Sequence, residues 1–385
     1  MMRRFRSEPV RIPPIAPSSS GDPRVATEVD GFVVWFESSD LPLRATLEGF
    51  GSGFLLPALH AGAGLELAGE VDPEWLGNAE RLNGVAREWW RYPIRRPRAT
   101  AAASTNANAN ANGTPPSGGR ALFFSGGVDS FYSLLRSGGA PDRLVMIVGY
   151  DLPLEDPVRS EAAEAMLRAV GREIGLATAV VRTNLRFHPL LRAMPWERSH
   201  GSVLAAVGHV LGVGEVLISS SIAVDRDKPW GSHWRIDPLY SSSSVRFTQL
   251  GMETRRRRKL IEIAQEPIVQ KHLRVCWENR AASGNCSSCS KCLVTRVLLA
   301  DVGLLDAFRV FRGCETLAAD LDALPASKGW GESMAEMATS PRLDPDVRRA
   351  AGDLVARTRH ARSLAVRTRR ALLGKLLSLA SGGRS

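Results

Sequence analysis

The sequence predicts an α/β protein: a mostly parallel sheet with helices on both faces, a small α/β domain ahead of it and a helical region behind it. Three observations carry this. Between Ala121 and Ser219, short apolar strands alternate with helical stretches at the spacing of strand–helix–strand units. Strands such as Leu144 to Val148 are unbroken apolar runs, as suits strands covered on both faces. A Gly-Gly turn, Gly126-Gly127, joins one of these strands to a helix.

In order, Phe32 to Glu37 reads as a strand, Thr46 to His60 as an apolar-faced helix and Ala63 to Glu70 as an alternating strand. Pro73 to Trp90 reads as a helix with Asp72 as cap and Pro73 in its first turn. Together they predict a small α/β domain over 25–95, after a flexible stretch over 1–24. Residues 96–120, with Asn-Ala repeats and Pro-Pro-Ser-Gly-Gly, lack an apolar face and predict a low-complexity linker or loop. The main domain, 121–300, then shows strands at 121–124, 144–148, 177–183 and 215–219, with helices at 129–135, 161–171 and 202–211. Parallel sheets bind ligands beyond their carboxyl ends, so loops 125–130, 149–151, 183–188 and 219–240 form the expected active rim. Beyond 300, short helices are predicted over 302–311 and 314–324. Asp344 and Pro345 then open a long basic helix or broken pair reaching about Leu379, within a helical region over 301–385.

With 385 residues, 44% hydrophobic and 23% charged, the chain suits about two or three ordinary globular domains. No apolar run approaches the roughly 18–20 residues of a membrane span. The opening Met-Met-Arg-Arg-Phe-Arg meets Ser, Glu and Pro where a secretory signal needs an apolar core, which makes the cytoplasm the expected location. Net charge is +10, but residues 354–385 hold eight basic side chains and no acidic ones, leaving +2 for the rest. The excess belongs to the tail: a solvated face or a subunit contact, such as a homodimer, with a membrane-surface or nucleic-acid contact as the second reading.

The sharpest motif is Phe123-Phe124-Ser125-Gly126-Gly127-Val128-Asp129-Ser130, an apolar strand running through two glycines into a helix. The glycines let backbone N–H groups turn inward, and the helix start adds unpaired N–H groups and a positive dipole end. Such a turn suits phosphate, with Ser125 and Ser130 as hydroxyl donors. Asp129 is a poor direct neighbour for phosphate, which implies an intervening Mg²⁺. A purely structural Gly-Gly turn is the alternative. The spacing is neither that of a Walker loop nor that of a dinucleotide turn. Candidate cations to meet the charge of a bound phosphate are Lys228, in Asp225-Arg226-Asp227-Lys228, and Arg255, at the head of the basic run to Lys259.

This element resembles the pyrophosphate loop of the ATP pyrophosphatase (PP-loop) superfamily. The resemblance implies a Rossmann-like nucleotide domain, Mg²⁺·ATP bound by Ser125, Gly126, Gly127, Val128, Asp129 and Ser130, and cleavage of ATP to AMP and pyrophosphate. The activated group would be a carbonyl-type oxygen, displaced by nitrogen or sulfur.

Four cysteines, Cys276, Cys286, Cys289 and Cys292, follow a C-x9-C-x2-C-x2-C pattern. The short gaps let neighbouring thiolates converge and the long gap closes a tetrahedron, which favours a structural Zn²⁺; an iron–sulfur cluster has the same ligand count. The fifth, Cys314, is expected in the core. The stretch from Cys276-Trp-Glu-Asn to Asn285-Cys-Ser-Ser-Cys-Ser-Lys-Cys-Leu-Val-Thr-Arg296 resembles the zinc segment of the 7-cyano-7-deazaguanine synthase branch of that superfamily. The combined resemblance covers about 121–300. That branch activates a deazaguanine carboxylate with ATP, forms an amide with ammonia and dehydrates it to a nitrile. The stretch Pro229 to Pro238 does not match the branch and is expected to set specificity. His233, Arg235 and Asp237 fall there, on a common side if the loop is extended. His200 is a candidate base or phosphate contact, with a structural role as the alternative.

The expected function is therefore ATP-dependent adenylation of a carboxylate or amide-like oxygen for C–N bond formation, using a small-molecule or modified-base substrate and a nitrogen donor. Catalytic candidates are Asp129, Lys228, Arg255 and His200. The alternatives are a tRNA-thiolating enzyme acting on RNA, and a non-catalytic zinc-supported module that binds nucleotide, RNA or protein.

Overall fold

The computed structural model describes residues 8–15, 23–102, 117–281, 284–326, 331–361 and 363. The architecture is mixed α/β, dividing into two compact units, residues 1–263 and 264–385.

Among the described residues, unit one contains ten strands: β1 (Val10–Ile12), β2 (Arg24–Val29), β3 (Phe32–Glu37), β4 (Leu65–Val71), β5 (Arg98–Ala102), β6 (Ser117–Phe123), β7 (Arg143–Val148), β8 (Ala177–Thr183), β9 (Val213–Ser219) and β10 (Arg246–Leu250). Seven of them form one sheet in the order β10-β9-β6-β7-β8-β3-β2. Pairing is parallel from β10 to β8, while β3 runs antiparallel to β8 and β2 antiparallel to β3. A smaller parallel sheet, β1-β4-β5, draws on both ends of the N-terminal region.

The helices of this unit are α1 (Leu47–Ala61), α2 (Pro73–Trp90), α3 (Val128–Arg136), α4 (Pro157–Ile174), the single turn α5 (Pro189–Arg192), α6 (Trp196–Leu211) and α7 (Arg256–Ile263). The expected Asp72 cap is present: its carboxylate accepts from Trp75 N at 3.0 Å. Helix α1 is buried from Gly49 to Leu59, more than an amphipathic surface helix would be. It lies against α6, and Gly49 and Gly53 make room for Val210, Leu185 and Ala206.

The strands and helices foreseen over 32–90 and 121–219 are present, but residues 24–37 extend the main sheet and do not stay within a separate sheet. The physical reason lies at the end of β8. Asn184 donates to Val33 O (2.8 Å) and accepts from Trp35 N (3.0 Å), while the Thr183 hydroxyl donates to Trp35 O (2.7 Å). These side chains clip β3 onto the exposed edge. Within 1–24, residues 10–12 form β1; within 96–120, both ends are strands and 103–116 lie outside the described residues.

Unit two is largely helical: α8 (Pro267–His272), α9 (Ser290–Asp301), α10 (Leu317–Asp322), α11 (Gly331–Met337) and a helix over 345–361. The rest of the basic helix expected to about 379 lies outside the described residues, apart from Ser363. The helix expected over 302–311 does not form. Left-handed Gly303 (φ 71°) stops α9, and Leu304 N bonds back to Leu299 O, so only a 3-10 turn at Leu305–Ala307 follows. Cys314, expected in the core, is exposed, because Leu317 and Leu321 take the buried positions of that segment. Among the described residues no helix is long and apolar enough to cross a membrane.

Candidate phosphate loop and metal centre

Strand β6 ends at buried Phe123, buried Phe124 follows, and the chain emerges at exposed Ser125. Gly126 takes a left-handed φ of 73°, which a side chain would resist, and Gly127 is the extended cap of α3. Ser125 Oγ accepts from Gly127 N (3.3 Å), so its own proton remains available as a donor. The Ser130 hydroxyl instead donates back to Gly127 O (3.0 Å). The helical ladder starts with Phe131 N to Gly127 O, leaving the N–H groups of Val128, Asp129 and Ser130 ahead of it. Unpaired amides, a helix dipole and an outward hydroxyl fit a phosphate-type anion.

Asp129 is 8% exposed, and both of its oxygens carry cations. Oδ2 accepts from Arg256 Nε (3.0 Å) and Nη2, and Oδ1 from Lys259 Nζ (3.2 Å). Lys259, 1% exposed, also donates to Ser220 O at 2.6 Å and lies 5.5 Å from the Tyr132 ring centre. Burial alone would raise the Asp129 pKa; the facing Arg256 and Lys259 outweigh it and hold the carboxyl below its ordinary value. Burial lowers the Lys259 pKa, with Asp129 opposing. A Mg²⁺ on Asp129, the expectation from the sequence, does not fit this donor set, because two cationic side chains already occupy the carboxylate.

The cations named from the sequence lie elsewhere. Lys228 is exposed, 4.4 Å from the Trp230 ring, and Arg255 pairs with Asp225 at a half-exposed site. Arg256 and Lys259 were missed inside the run Arg255 to Lys259. The signal was there: Arg256, Leu260 and Ile263 recur at i, i+4 and i+7, which puts Arg256 and Lys259 on the inward side of α7.

His233, Arg235 and Asp237 do not share a side, because the loop is folded. Ile236 N and Asp237 N both bond to His233 O, making a turn. His233 is fully buried against Trp234 and Trp89; its Nδ1 accepts from Arg235 N and its Nε2 donates to Asp227. Burial lowers its pKa, partly offset by Asp227. Arg235 makes a two-bond pair with Glu88. Asp237 accepts from Ser232 Oγ (2.7 Å) and Gln249 Nε2 (2.6 Å), and burial lifts its pKa to about 7. His200 donates from Nδ1 to Trp196 O (3.1 Å) within its own helix, and burial lowers its pKa, which favours the neutral ring.

On the same rim, after β7 and β8, lies a cleft of about 540 Å³ between Gly149–Glu155 and Arg186–Trp196. The Arg186 guanidinium stacks on Trp196 at 3.9 Å and donates to Tyr150 O, while Tyr150 meets Trp196 edge-on. Flat aromatic walls with Asp151, Glu155 and Arg192 at the lining suit a planar polar ligand.

In unit two, the Sγ atoms of Cys276, Cys286, Cys289 and Cys292 all lie within 4.8 Å of one another, with Cys276–Cys289 at 3.9 Å and Cys286–Cys292 at 4.0 Å. A tetrahedral ion at thiolate bond lengths needs sulfur–sulfur spacings of about 3.8 Å, so the cluster can hold a metal ion. Asn285 brings the first ligand back: its Oδ1 accepts from Val275 N and Cys276 N. Cys289 N donates to Cys286 Sγ (3.3 Å), and α9 opens at Cys289 to place Cys292 in its first turn. Hydrogen bonds from Cys289 and Cys292 pull the Cys276 thiol down, and its contacts push those two up; a central cation removes the conflict.

Compared with known proteins, the chain matches no protein-family model and no curated protein sequence.

Proposed function

We propose that the chain is a nucleotide-binding protein of the Rossmann-like, PP-loop type, with a structural zinc centre and its nucleotide phosphates seated at residues 125–130. The observation that carries the reading is the Gly126-Gly127 turn at the carboxyl end of a central parallel strand, backed by Arg256 and Lys259. The closed Cys₄ set leaves no open coordination position, which favours a structural role for zinc. Binding is favoured over turnover because Arg255 pairs with Asp225, His200 with the Trp196 carbonyl and Asp129 itself with Arg256 and Lys259.

ATP cleavage to AMP and pyrophosphate, with adenylation of a carboxylate for C–N bond formation, is the second reading. The cleft at Tyr150 and Trp196 favours it, as a place for a planar acceptor beside the loop's strand. Calorimetry with ATP and phosphorus NMR on the same sample decide between them. ATP binding without products supports the first reading. AMP and pyrophosphate that depend on a pool of carboxylates, deazaguanine acids included, with ammonia would replace it by the second. Absence of ATP binding would sink both.

A further inference from the structure

Asp129 is the acidic residue of the loop, and its surroundings are those of a counter-ion. Its carboxylate takes two N–H groups from Arg256 on one oxygen and the Lys259 ammonium on the other. Two cations on one anion leave the triad with net charge +1. Lys259 is sealed in and tied to Ser220 O at the end of β9, so it fixes Asp129 against the sheet. Arg256 differs: its side chain is about one-third exposed, and Nη1 makes no hydrogen bond among the described residues. The group beside Asp129 that keeps partial solvent access is therefore a guanidinium, held to that carboxylate through Nε and Nη2.

We propose that Asp129 is a positioning residue that anchors Arg256 and Lys259, and that Arg256 contacts the phosphate chain directly, so that the loop takes a pyrophosphate-type anion without a metal ion on Asp129. This rests on the phosphate assignment of residues 125–130. A metal carried by the nucleotide itself would be held by other oxygens, not by this carboxylate.

The test is calorimetric titration of the full chain with inorganic pyrophosphate, in EDTA and in Mg²⁺, for the wild type, Asp129→Asn, Arg256→Gln and the double variant. Thermal melts check that each is folded, and Arg256→Lys serves as a second variant that keeps the charge but loses the fork. Pyrophosphate is expected to bind in EDTA, with Arg256→Gln weakening it about ten- to hundredfold in both buffers. Asp129→Asn is expected to add little once Arg256 is gone, because the two act as one unit. Binding that requires Mg²⁺, disappears in Asp129→Asn and survives Arg256→Gln would overturn the inference and leave the nucleotide reading standing. Absence of pyrophosphate and ATP binding in either buffer would overturn both.

Discussion

Arg296 Nη1 donates to the carbonyl of Ser287 at 2.8 Å, from a side chain with no solvent exposure, and so ties α9 to the turn between Cys286 and Cys289 of the four-cysteine cluster. The remaining guanidinium donors reach Arg312 O, Gly313 O, Thr316 Oγ1 and Asp320 Oδ2. Ser287 is left-handed (φ 61°), a conformation that needs such support. Arg296→Met is therefore expected to destabilise unit two by about 3–5 kcal/mol, since it takes one of two arginines from Asp320, which keeps Arg312 and the Thr316 hydroxyl, and removes the donor shared by the Ser287, Arg312 and Gly313 carbonyls. Arg296→Lys should not restore it, because an ammonium cannot make the fork. Urea unfolding followed by far-UV circular dichroism measures both.

The cysteine cluster should carry one metal ion per chain by elemental analysis. Replacing it with Co²⁺ should give the visible bands of a tetrahedral thiolate site, and Cys289→Ser should weaken retention against a chelator. A brown, iron-containing protein would replace zinc by an iron–sulfur cluster.

Asp237 gives a pH dependence of definite sign. A carboxyl whose folded pKa is lifted to about 7 is favoured in its acid form, so its burial is best tolerated at low pH. Stability falls as pH rises from about 4 to 7 and then levels, by at most about 4 kcal/mol. Oδ1 of Asp237 and Oε1 of Gln249 are both buried without a hydrogen-bond partner among the described residues, so a donor is missing beside two acceptors. Asp237→Asn supplies one, and it is expected to flatten this slope and raise the melting temperature at pH 8.

Gly201 lets α6 approach the loop after β9. A Cβ there would stand 1.8 Å from Gly231 O, a backbone atom fixed by the bond from Gly231 N to Glu197 O. Gly201→Ala should cost about 2–3 kcal/mol in chemical denaturation and displace the 227–241 loop. Gly77→Ala, in α2 with open space around it, is the matched control and should be neutral or slightly stabilising.

Much of this was legible locally. The strands at 121–124 and 144–148 announce themselves as apolar runs, the Asp72-Pro73 start of α2 by its capping chemistry, and the Gly-Gly turn and cysteine cluster by spacing. What stayed hidden depends on partners distant in sequence. Alternation along 32–37 says that a strand exists, not that Asn184 and Thr183 will clip it onto β8. The basic run 255–259 reads as uniform charge until α7 is folded, when its period turns Arg256 and Lys259 toward Asp129 and leaves Arg255 on Asp225. His233, Arg235 and Asp237 diverge because one three-residue turn at His233 O breaks the extended geometry that alternation assumes.

The antiparallel β2–β3 hairpin has a consequence for how the chain is made. Trp35 and Thr183 are 148 residues apart, yet β3 finds its place only against β8. At about 5–20 residues per second, a ribosome takes roughly 7–30 s to supply the second partner after the first. During that interval the hairpin carries an unpaired edge. Nascent chains stalled before residue 183 should therefore recruit holdase chaperones, and chains stalled well beyond it should release them.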